Sequence, residues 1–306
     1  MALCPWYPAD PDLYRRAPGS GRLVWPYCRA IPARKVRQGA IMTALLELDN
    51  ITKDFGGVRA VDGVSFSLEP GTRTALIGPN GAGKTSLMNI LSGLVMADHG
   101  SIRLNGERVE TLAAHKRMRY GLGRTFQITN IYKRLSVRDN LAISLAAQRR
   151  GYTFQWWRGW SKATTQEAMV WAERLGLASQ AERPASLLAY GDQKRLDIGL
   201  ALISKPQLLL LDEPMAGVTQ QDRQSLMTLA RDLLAEHTEQ AGMLFTEHDM
   251  NTVFQQAERI LVLDHGRIIA DGKPDDIARD QTVQRLYLGQ KHGLTTAPAA
   301  GPKNDR

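Results

Sequence analysis

The segment LIGPNGAGKTS, Leu76–Ser86, places three glycines, a lysine and two hydroxyl residues between two apolar runs. Its spacing matches the pattern G-x-x-x-x-G-K-[ST], in which backbone N–H groups of a glycine-rich loop surround a phosphate chain. Glycine allows the backbone to approach a ligand closely, and the dipole of a helix that begins after the loop favours an anion. The pattern therefore predicts a phosphate-binding loop rather than an ordinary turn between a strand and a helix.

Within this loop, Lys84 is predicted to reach the β- and γ-phosphates of a nucleotide, and the Thr85 hydroxyl is predicted to bind Mg²⁺. The predicted nucleotide-binding residues of the loop are Gly78, Pro79, Asn80, Gly81, Ala82, Gly83, Lys84, Thr85 and Ser86.

The composition is that of a globular protein, with 43% hydrophobic and 23% charged residues among 306. Both cysteines lie in the first thirty residues, which disfavours a disulfide or a cysteine metal site in the rest of the chain. No apolar run reaches the length of about eighteen residues that a membrane span needs. The net charge is +8, but residues 1–41 alone carry +5, so the remaining chain is nearly neutral and no nucleic acid partner is expected.

The chain is expected to hold one folded domain with two unstructured ends. Residues 1–41 contain six of the fourteen prolines and lack the apolar stretch of a signal peptide. We expect them to be a disordered basic extension or an artefact of an upstream start site. The domain is expected to occupy residues 42–290, and residues 291–306 are expected to form a disordered tail.

Hydrophobic patterning predicts an α/β fold. Apolar and polar residues alternate in LLELDNITK and VDGVSFSLEPG, as in half-buried strands. The run RTALIG indicates a buried strand, and PQLLLLDEP indicates a buried parallel strand. Further strands are predicted for AGMLFTEHD and RILVLDHGRIIADG. Because these runs alternate with helical segments, a doubly wound core is expected. A mostly helical block from Tyr132 to Ser204 is predicted to be an insertion into that core.

Two adjacent carboxylates, Asp212 and Glu213, end the run LLLLDE. An aspartate at the end of a strand beside a phosphate-binding loop is placed to hold Mg²⁺. The next carboxylate can orient and polarise a water for attack on the γ-phosphate. His248 follows another predicted strand and could contact the phosphate or that water, although a lone histidine there is more often a structural hydrogen-bonding residue.

The segment LLAYGDQKRLDIGLAL, Leu187–Leu202, predicts a second helix whose N-terminus suits an anion. It lies about a hundred residues beyond the phosphate-binding loop. One subunit is therefore not expected to bring both segments to the same phosphate, whereas two subunits arranged head to tail can.

Together these segments resemble the ATP-binding subunit of an ABC transporter over about residues 44–290. The resemblance identifies GPNGAGKT as Walker A, LAYGD as the signature, LLLLDE as Walker B and MAGVT as the D-loop. It implies that Glu213 is the catalytic base, that His248 is the switch histidine and that Gln127 in GRTFQ is a catalytic and Mg²⁺-binding glutamine. Phe55 stands where the family has an aromatic that stacks on adenine. The signature residues implied to contact ATP are Ala189, Tyr190, Gly191 and Asp192.

The resemblance implies a P-loop NTPase (RecA-like) core with an antiparallel β subdomain and an inserted helical subdomain at about 132–204. It also implies ATP and Mg²⁺ as cofactors and a second ABC ATPase subunit in a homodimer or heterodimer. Further implied partners are two membrane permease subunits and, indirectly, a periplasmic solute-binding protein. The implied location is peripheral, on the cytoplasmic face of the inner membrane.

Finer features are similar to the ATP-binding subunits of bacterial branched-chain amino acid importers, a group that also serves amides, urea and small carboxylates. These features are FGGVRAVDGVSF, GLGRTFQ, LAYG, EHDM and LYLG. One alternative is a non-transport ABC ATPase acting on ribosomes or DNA, which the single Walker A and the lack of sustained heptads disfavour. Another is the ATPase of an exporter such as a lipopolysaccharide-transport system, for which LSGG would be expected in place of LAYG.

Two positions depart from the family pattern. Asp192 stands where glutamine is usual and is expected to add negative charge near a phosphate, and Thr219 stands where Asp or Asn is common.

We also expect the segment after Gln127 to contact a permease through an apolar surface, the alternative being that it packs within the subunit. The residues predicted to form that surface are Ile128, Ile131, Tyr132 and Leu135.

Overall fold

The computed structural model describes residues 44–125, 131–148 and 160–288. The first described range contains β1 (Leu46–Phe55), β2 (Val58–Leu68), β3 (Arg73–Ile77), α1 (Lys84–Ser92), β4 (His99–Leu104), β5 (Glu107–Arg108), α2 (Ala114–Arg117) and β6 (Leu122–Arg124). Three helices follow: α3 (Val137–Gln148), α4 (Lys162–Arg174) and α5 (Tyr190–Leu202). The remaining elements are β7 (Leu208–Asp212), α6 (Gln220–Ala235), β8 (Gly242–Thr246), α7 (Met250–Gln256), β9 (Arg259–Asp264), β10 (Arg267–Gly272), α8 (Pro274–Arg279) and α9 (Gln281–Leu288).

Strands β2, β1, β4 and β5 form an antiparallel sheet in that order. The alternation predicted for β1 and β2 is present, because Leu46 pairs with Leu68 and Leu48 pairs with Phe66, and all four side chains are buried. These apolar side chains form one core cluster with α1, the helix that begins at the phosphate-binding loop. The antiparallel sheet therefore supports the loop from one side.

The second sheet has the order β10-β9-β3-β8-β7-β6, with the five strands from β9 to β6 parallel and β10 antiparallel at the edge. All five residues of β7 and of β8 are buried, as expected for strands covered on both faces. The sequence pattern did not predict β6, because its three residues, LGR, are too few for a hydrophobic period. Pairing with β7 places this strand in the sheet.

Helices α3, α4 and α5 lie between β6 and β7 in the chain, so the helical region is inserted into the core as predicted. Apolar residues of the three helices, such as Leu141, Ala172 and Leu196, belong to the same buried cluster as residues of the parallel sheet. The predicted extension 1–41 and the predicted tail 291–306 lie outside the described residues, and the domain bounds stay predictions. Across the described ranges, we find no helix that combines the length and apolar character required to span a bilayer.

The parallel sheet brings three loops to one edge. β3, β7 and β8 run in the same direction, so their carboxyl ends lie side by side. The phosphate-binding loop follows β3, Glu213 follows β7, and Glu247 and His248 follow β8. In α/β sheets, ligands bind outside the carboxyl ends of the strands, so this edge is the candidate site.

Candidate active site

The phosphate-binding loop is packed against the protein's own backbone at two of its glycines. A Cβ added at Gly78 would lie 2.1 Å from the carbonyl oxygen of Leu263. At Gly83, which has a left-handed φ of +105°, a Cβ would lie 2.2 Å from the carbonyl oxygen of Ala60. No larger residue fits either position without moving the loop. The sequence predicted close approach to a ligand, and the structure adds close approach to β9 and β2.

Lys84 is buried at the start of α1, and its ammonium group donates hydrogen bonds to the carbonyl oxygens of Gly78 (2.6 Å) and Pro79 (3.0 Å). Burial lowers the pKa of this lysine, and the nearby carboxylates of Glu213 and Asp212 offset that lowering only in part. The structure thus brings together the lysine and the two carboxylates that the sequence predicted to share a site. Thr85 follows on an exposed position of the first turn of α1.

Asp212 is almost fully buried, and each of its carboxylate oxygens has a partner. Oδ2 lies 3.1 Å from Nη2 of Arg124, and Oδ1 accepts a hydrogen bond of 2.9 Å from the Thr246 hydroxyl. Arg124 is also buried and donates to the carbonyl oxygen of Met88 in α1. Because a buried charged group is tolerated only when it is paired and hydrogen-bonded, these contacts hold the Asp212 side chain in place at the end of β7.

Glu213 and His248 form a close pair beside Lys84. Oε1 of Glu213 lies 2.7 Å from Nε2 of His248. Glu213 has a left-handed backbone with φ of +46°, a conformation that costs a residue other than glycine about 1–3 kcal/mol. Such strain persists only where surrounding contacts impose it and is concentrated at functional sites. A carboxylate held this way, with an imidazole at its oxygen, can accept a proton from a water molecule.

Glu247 lies between β8 and His248 and is buried. Its Oε1 accepts a hydrogen bond of 2.8 Å from the backbone N–H of Met215, and its Oε2 accepts one of 3.3 Å from the N–H of His248. Burial raises the pKa of this carboxyl, and the nearby Glu213 raises it further. Glu247 therefore ties the segment that carries His248 to the start of the D-loop.

Sequence reasoning missed three polar residues of this edge: Arg124, Thr246 and Glu247. Each lies at or next to the end of a strand, beside a residue that the sequence did single out. A search for polar residues at the carboxyl ends of all predicted parallel strands would have found Thr246 and Glu247, whereas Arg124 ends a strand that was not predicted.

The signature segment begins α5, with Ala189 as the N-cap residue and Tyr190, Gly191 and Asp192 in the first turn. Oδ2 of Asp192 accepts a hydrogen bond of 2.9 Å from Gln180, and Oδ1 lies 3.8 Å from Nε of Arg195. The Arg195 guanidinium offsets part of the Asp192 charge within the subunit, and the effect of Asp192 on a bound phosphate stays a prediction.

The D-loop lies against the signature of the same chain. A Cβ added at Gly217 would lie 3.0 Å from Cε1 of Tyr190. Thr219, the second departure from the family pattern, is the N-cap of α6, where its hydroxyl accepts a hydrogen bond from the N–H of Asp222. Threonine is a favoured N-cap residue, which gives this substitution a local structural reason.

Phe55 ends β1 with 46% of its surface exposed, and the Lys53 ammonium lies 5.4 Å from its ring centroid. An exposed ring in this position is available for stacking on a planar base.

Gln127, predicted to be catalytic and to bind Mg²⁺, lies outside the described residues, as does Ile128.

The donors that the sequence predicted for Mg²⁺ are chemically suited to it. Thr85 offers a hydroxyl and Asp212 a carboxylate, both hard oxygen donors. Mg²⁺ usually takes one or two protein oxygens and completes its shell with phosphates and water. The described part of the chain holds no group of three or more His, Cys, Asp or Glu residues placed to bind a metal.

Comparisons with known proteins converge on one family. The family described as ABC transporter matches residues 61–216, and the one described as branched-chain amino acid ATP-binding cassette transporter matches residues 267–293. The high-affinity branched-chain amino acid transport ATP-binding protein BraF of Pseudomonas aeruginosa is 37% identical over 255 residues, which cover 80% of this chain and 98% of BraF. LivG of Escherichia coli K12, described in the same words, is 36% identical over 252 residues, with coverages of 80% and 98%.

Solved structures agree with the sequence relatives. A nucleotide-free ATP-binding cassette from an ABC transporter has a TM-score of 0.71 at 27% identity, covering 80% of this chain and 99% of that one. The ADP conformation of an ATP-binding cassette has a TM-score of 0.70 at 29% identity, with coverages of 81% and 99%. The predicted P-loop NTPase fold is thereby confirmed. The chain belongs to the ATP-binding proteins of ABC transporters, and within them it groups with those of branched-chain amino acid transporters.

Proposed function

We propose that this chain is the ATP-hydrolysing subunit that powers an importer of branched-chain amino acids or related small polar solutes. The observation that carries the proposal is the pairing of Glu213 with His248 at 2.7 Å, beside the Lys84 ammonium, in a chain 37% identical to BraF. The relatives named above are transport proteins, so neither a ribosome- or DNA-directed ATPase nor an exporter ATPase is favoured.

In the proposed reaction, backbone N–H groups of the loop from Gly78 to Ser86 bind the phosphates, and Lys84 moves from the loop carbonyls to the β- and γ-phosphates. Thr85, Asp212 and Gln127 would hold Mg²⁺, which when bound would neutralise charge on the phosphate oxygens. Glu213 orients the attacking water and accepts its proton. His248 holds the Glu213 carboxylate and contacts the γ-phosphate.

The signature of one subunit closes over the nucleotide of another in this proposal. Asp192 contacts Gln180 and Arg195 of its own chain, and Tyr190 lies against Gly217. The N-terminus of α5 has no side-chain cap. Such a helix start suits the phosphates of a nucleotide held by a second ABC ATPase subunit. The assembly includes two membrane permeases, with this chain bound at the cytoplasmic face of the inner membrane, and it receives solute from a periplasmic binding protein.

Uptake assays in a strain that lacks this chain test the cargo. Labelled leucine, urea and a short amide are supplied separately, and the strain is complemented with the wild-type chain or with Glu213→Gln. We expect leucine uptake to be lost in the deletion strain and restored by the wild-type chain alone. Unchanged leucine uptake with loss of urea or amide uptake would correct the cargo, and unchanged uptake of all three would contradict import.

The predicted permease surface after Gln127 needs one correction. Ile131 is 8% exposed and packs in the core cluster that includes α3 and α4, so it cannot anchor a partner. The backbone N–H of Tyr132 donates to Oδ1 of Asn140 at 2.7 Å, which fixes the segment to α3. Leu135 remains as an exposed apolar side chain, with 36% of its surface exposed.

Leu135→Glu is expected to abolish co-purification with the permeases while leaving the melting temperature and ATP binding of the isolated chain unchanged. The physical reason is that a charge buried in an interface without a partner is strongly unfavourable. Val170→Glu is the matched control, because Val170 is an exposed apolar residue of α4 in the same helical region. Co-purification of Leu135→Glu at the wild-type level would remove this residue from the coupling surface.

A further inference from the structure

Thr246 lies against both acidic residues of Walker B. Strands β7 and β8 are parallel, and their register pairs Asp212 with Thr246, the last residue of each strand. Thr246 has no exposed surface. Its side chain is therefore enclosed at the edge of the sheet where the phosphate-binding loop, Asp212 and Glu213 meet.

The hydroxyl of Thr246 makes two hydrogen bonds of opposite kinds. It donates to Oδ1 of Asp212 at 2.9 Å, and it accepts from the backbone N–H of Glu213 at 3.0 Å. A hydroxyl has one proton to donate and lone pairs to accept, so both bonds form at once. Valine has nearly the same shape but can form neither bond.

The bond to the Glu213 N–H acts on a strained residue. Glu213 adopts its left-handed φ of +46° directly after Asp212, and its side chain meets His248 at 2.7 Å. Without Thr246, the backbone N–H of Glu213 would lose a contact that stabilises this strained conformation. The Glu213 carboxylate would then no longer be held at a fixed distance from His248.

We propose that Thr246 is a positioning residue for ATP hydrolysis, whose hydroxyl orients the Asp212 carboxylate and holds the backbone of Glu213. The inference rests on the proposed hydrolytic function of the site. Thr246 touches neither nucleotide nor water in this scheme and acts through Asp212 and Glu213. One neutral hydroxyl thus sets the positions of the predicted Mg²⁺ ligand and of the predicted base.

The first test replaces the hydroxyl within the same volume. Thr246→Val in the full chain is expected to lower kcat by about 10- to 100-fold, the range that follows from leaving a buried polar group unpaired. The KM for ATP is expected to change by no more than about twofold, because the phosphate-binding loop is intact. Thr246→Ser keeps the hydroxyl and is expected to restore kcat to within about threefold of the wild-type value.

Thr74 offers a matched control on the neighbouring strand β3, which pairs with β8. It is also fully buried, but its hydroxyl has no hydrogen-bond partner among the described residues. Thr74→Val removes a buried hydroxyl from the same sheet and is expected to leave kcat at the wild-type level. Because this change deletes an unpaired polar group, we expect the melting temperature to stay constant or rise.

A titration with Mn²⁺ in the presence of ADP, followed by electron paramagnetic resonance, reports on Asp212 without turnover. The half-saturating Mn²⁺ concentration is expected to rise about fivefold or more in Thr246→Val, since the carboxylate loses an orienting donor, and to stay unchanged in Thr246→Ser and Thr74→Val. Should Thr246→Val not fold, Thr246→Cys replaces it, because a thiol is a weak hydrogen-bonding group of serine's shape.

The outcomes separate the inference from the proposed function. Wild-type kcat and Mn²⁺ affinity in the folded Thr246→Val or Thr246→Cys protein would overturn the role of Thr246. An equal loss of kcat in Thr74→Val would also overturn it, because any buried hydroxyl would then have the same effect. Nucleotide binding without hydrolysis by the wild-type chain in the assembled transporter would contradict the proposed function instead, and the Mn²⁺ titration would still decide the role of Thr246.

Discussion

Glu213→Gln is expected to keep ATP binding and to lower the rate of hydrolysis at least about 100-fold, the usual scale for loss of a general base. The amide has the shape of the carboxylate but cannot accept the proton of the attacking water. Since Glu213 is bonded to His248 and lies near Lys84, its loss should affect the chemical step and leave the phosphate-binding loop intact. Single-turnover hydrolysis and equilibrium binding of a fluorescent ATP analogue measure the two quantities separately.

Glu182→Gln serves as the control for Glu213→Gln. Glu182 is an exposed carboxylate that pairs with Arg138 in the helical region, and its replacement should leave both hydrolysis and binding unchanged. Wild-type hydrolysis by Glu213→Gln would show that another group accepts the proton, and Glu213 would no longer be the base.

Lys84→Ala is expected to weaken ATP binding itself by about 10- to 100-fold, the scale of a lost hydrogen bond to a charged group. The ammonium group is already inside the loop, bonded to the carbonyl oxygens of Gly78 and Pro79. Alanine removes both the charge that meets the phosphates and the bonds that hold the loop closed. Equilibrium binding of ATP measures the effect directly.

For Lys84→Ala the control is Lys116→Ala, since Lys116 is exposed on α2. That variant should bind ATP as tightly as the wild-type chain. An affinity of Lys84→Ala within twofold of the wild-type value would contradict the assignment of this loop as the phosphate site.

The parts of the site that depend on local sequence could be predicted. The run LLLLD is buried along its whole length, as its apolar composition indicated, and it ends at Asp212. The loop between Ile77 and Lys84 connects a buried strand to a helix, as its glycines indicated. In both cases the signal lies within about ten consecutive residues, because periodicity and turn chemistry are short-range properties.

The parts that depend on pairing between distant segments could not be predicted. Thr246 meets Asp212 across a separation of 34 residues, through a strand register that the sequence does not display. Arg124 reaches Asp212 across 88 residues from a strand too short to show a pattern. The pairing of Asp192 with Arg195 depends on side-chain orientations on α5, which the sequence does not display. The burial of Ile131 depends on how the helical region packs, which the sequence does not display either.

ATP-driven uptake of labelled leucine by membrane vesicles tests the central claim most directly. The vesicles contain the assembled transporter. Mg²⁺-ATP is supplied on the side of the membrane that carries this chain, and the solute-binding protein and leucine are supplied on the opposite side. We predict leucine transport that requires ATP and that falls to the ATP-free level when this chain carries Glu213→Gln. Transport at the wild-type rate with Glu213→Gln, or leucine movement that does not depend on ATP, would contradict the account.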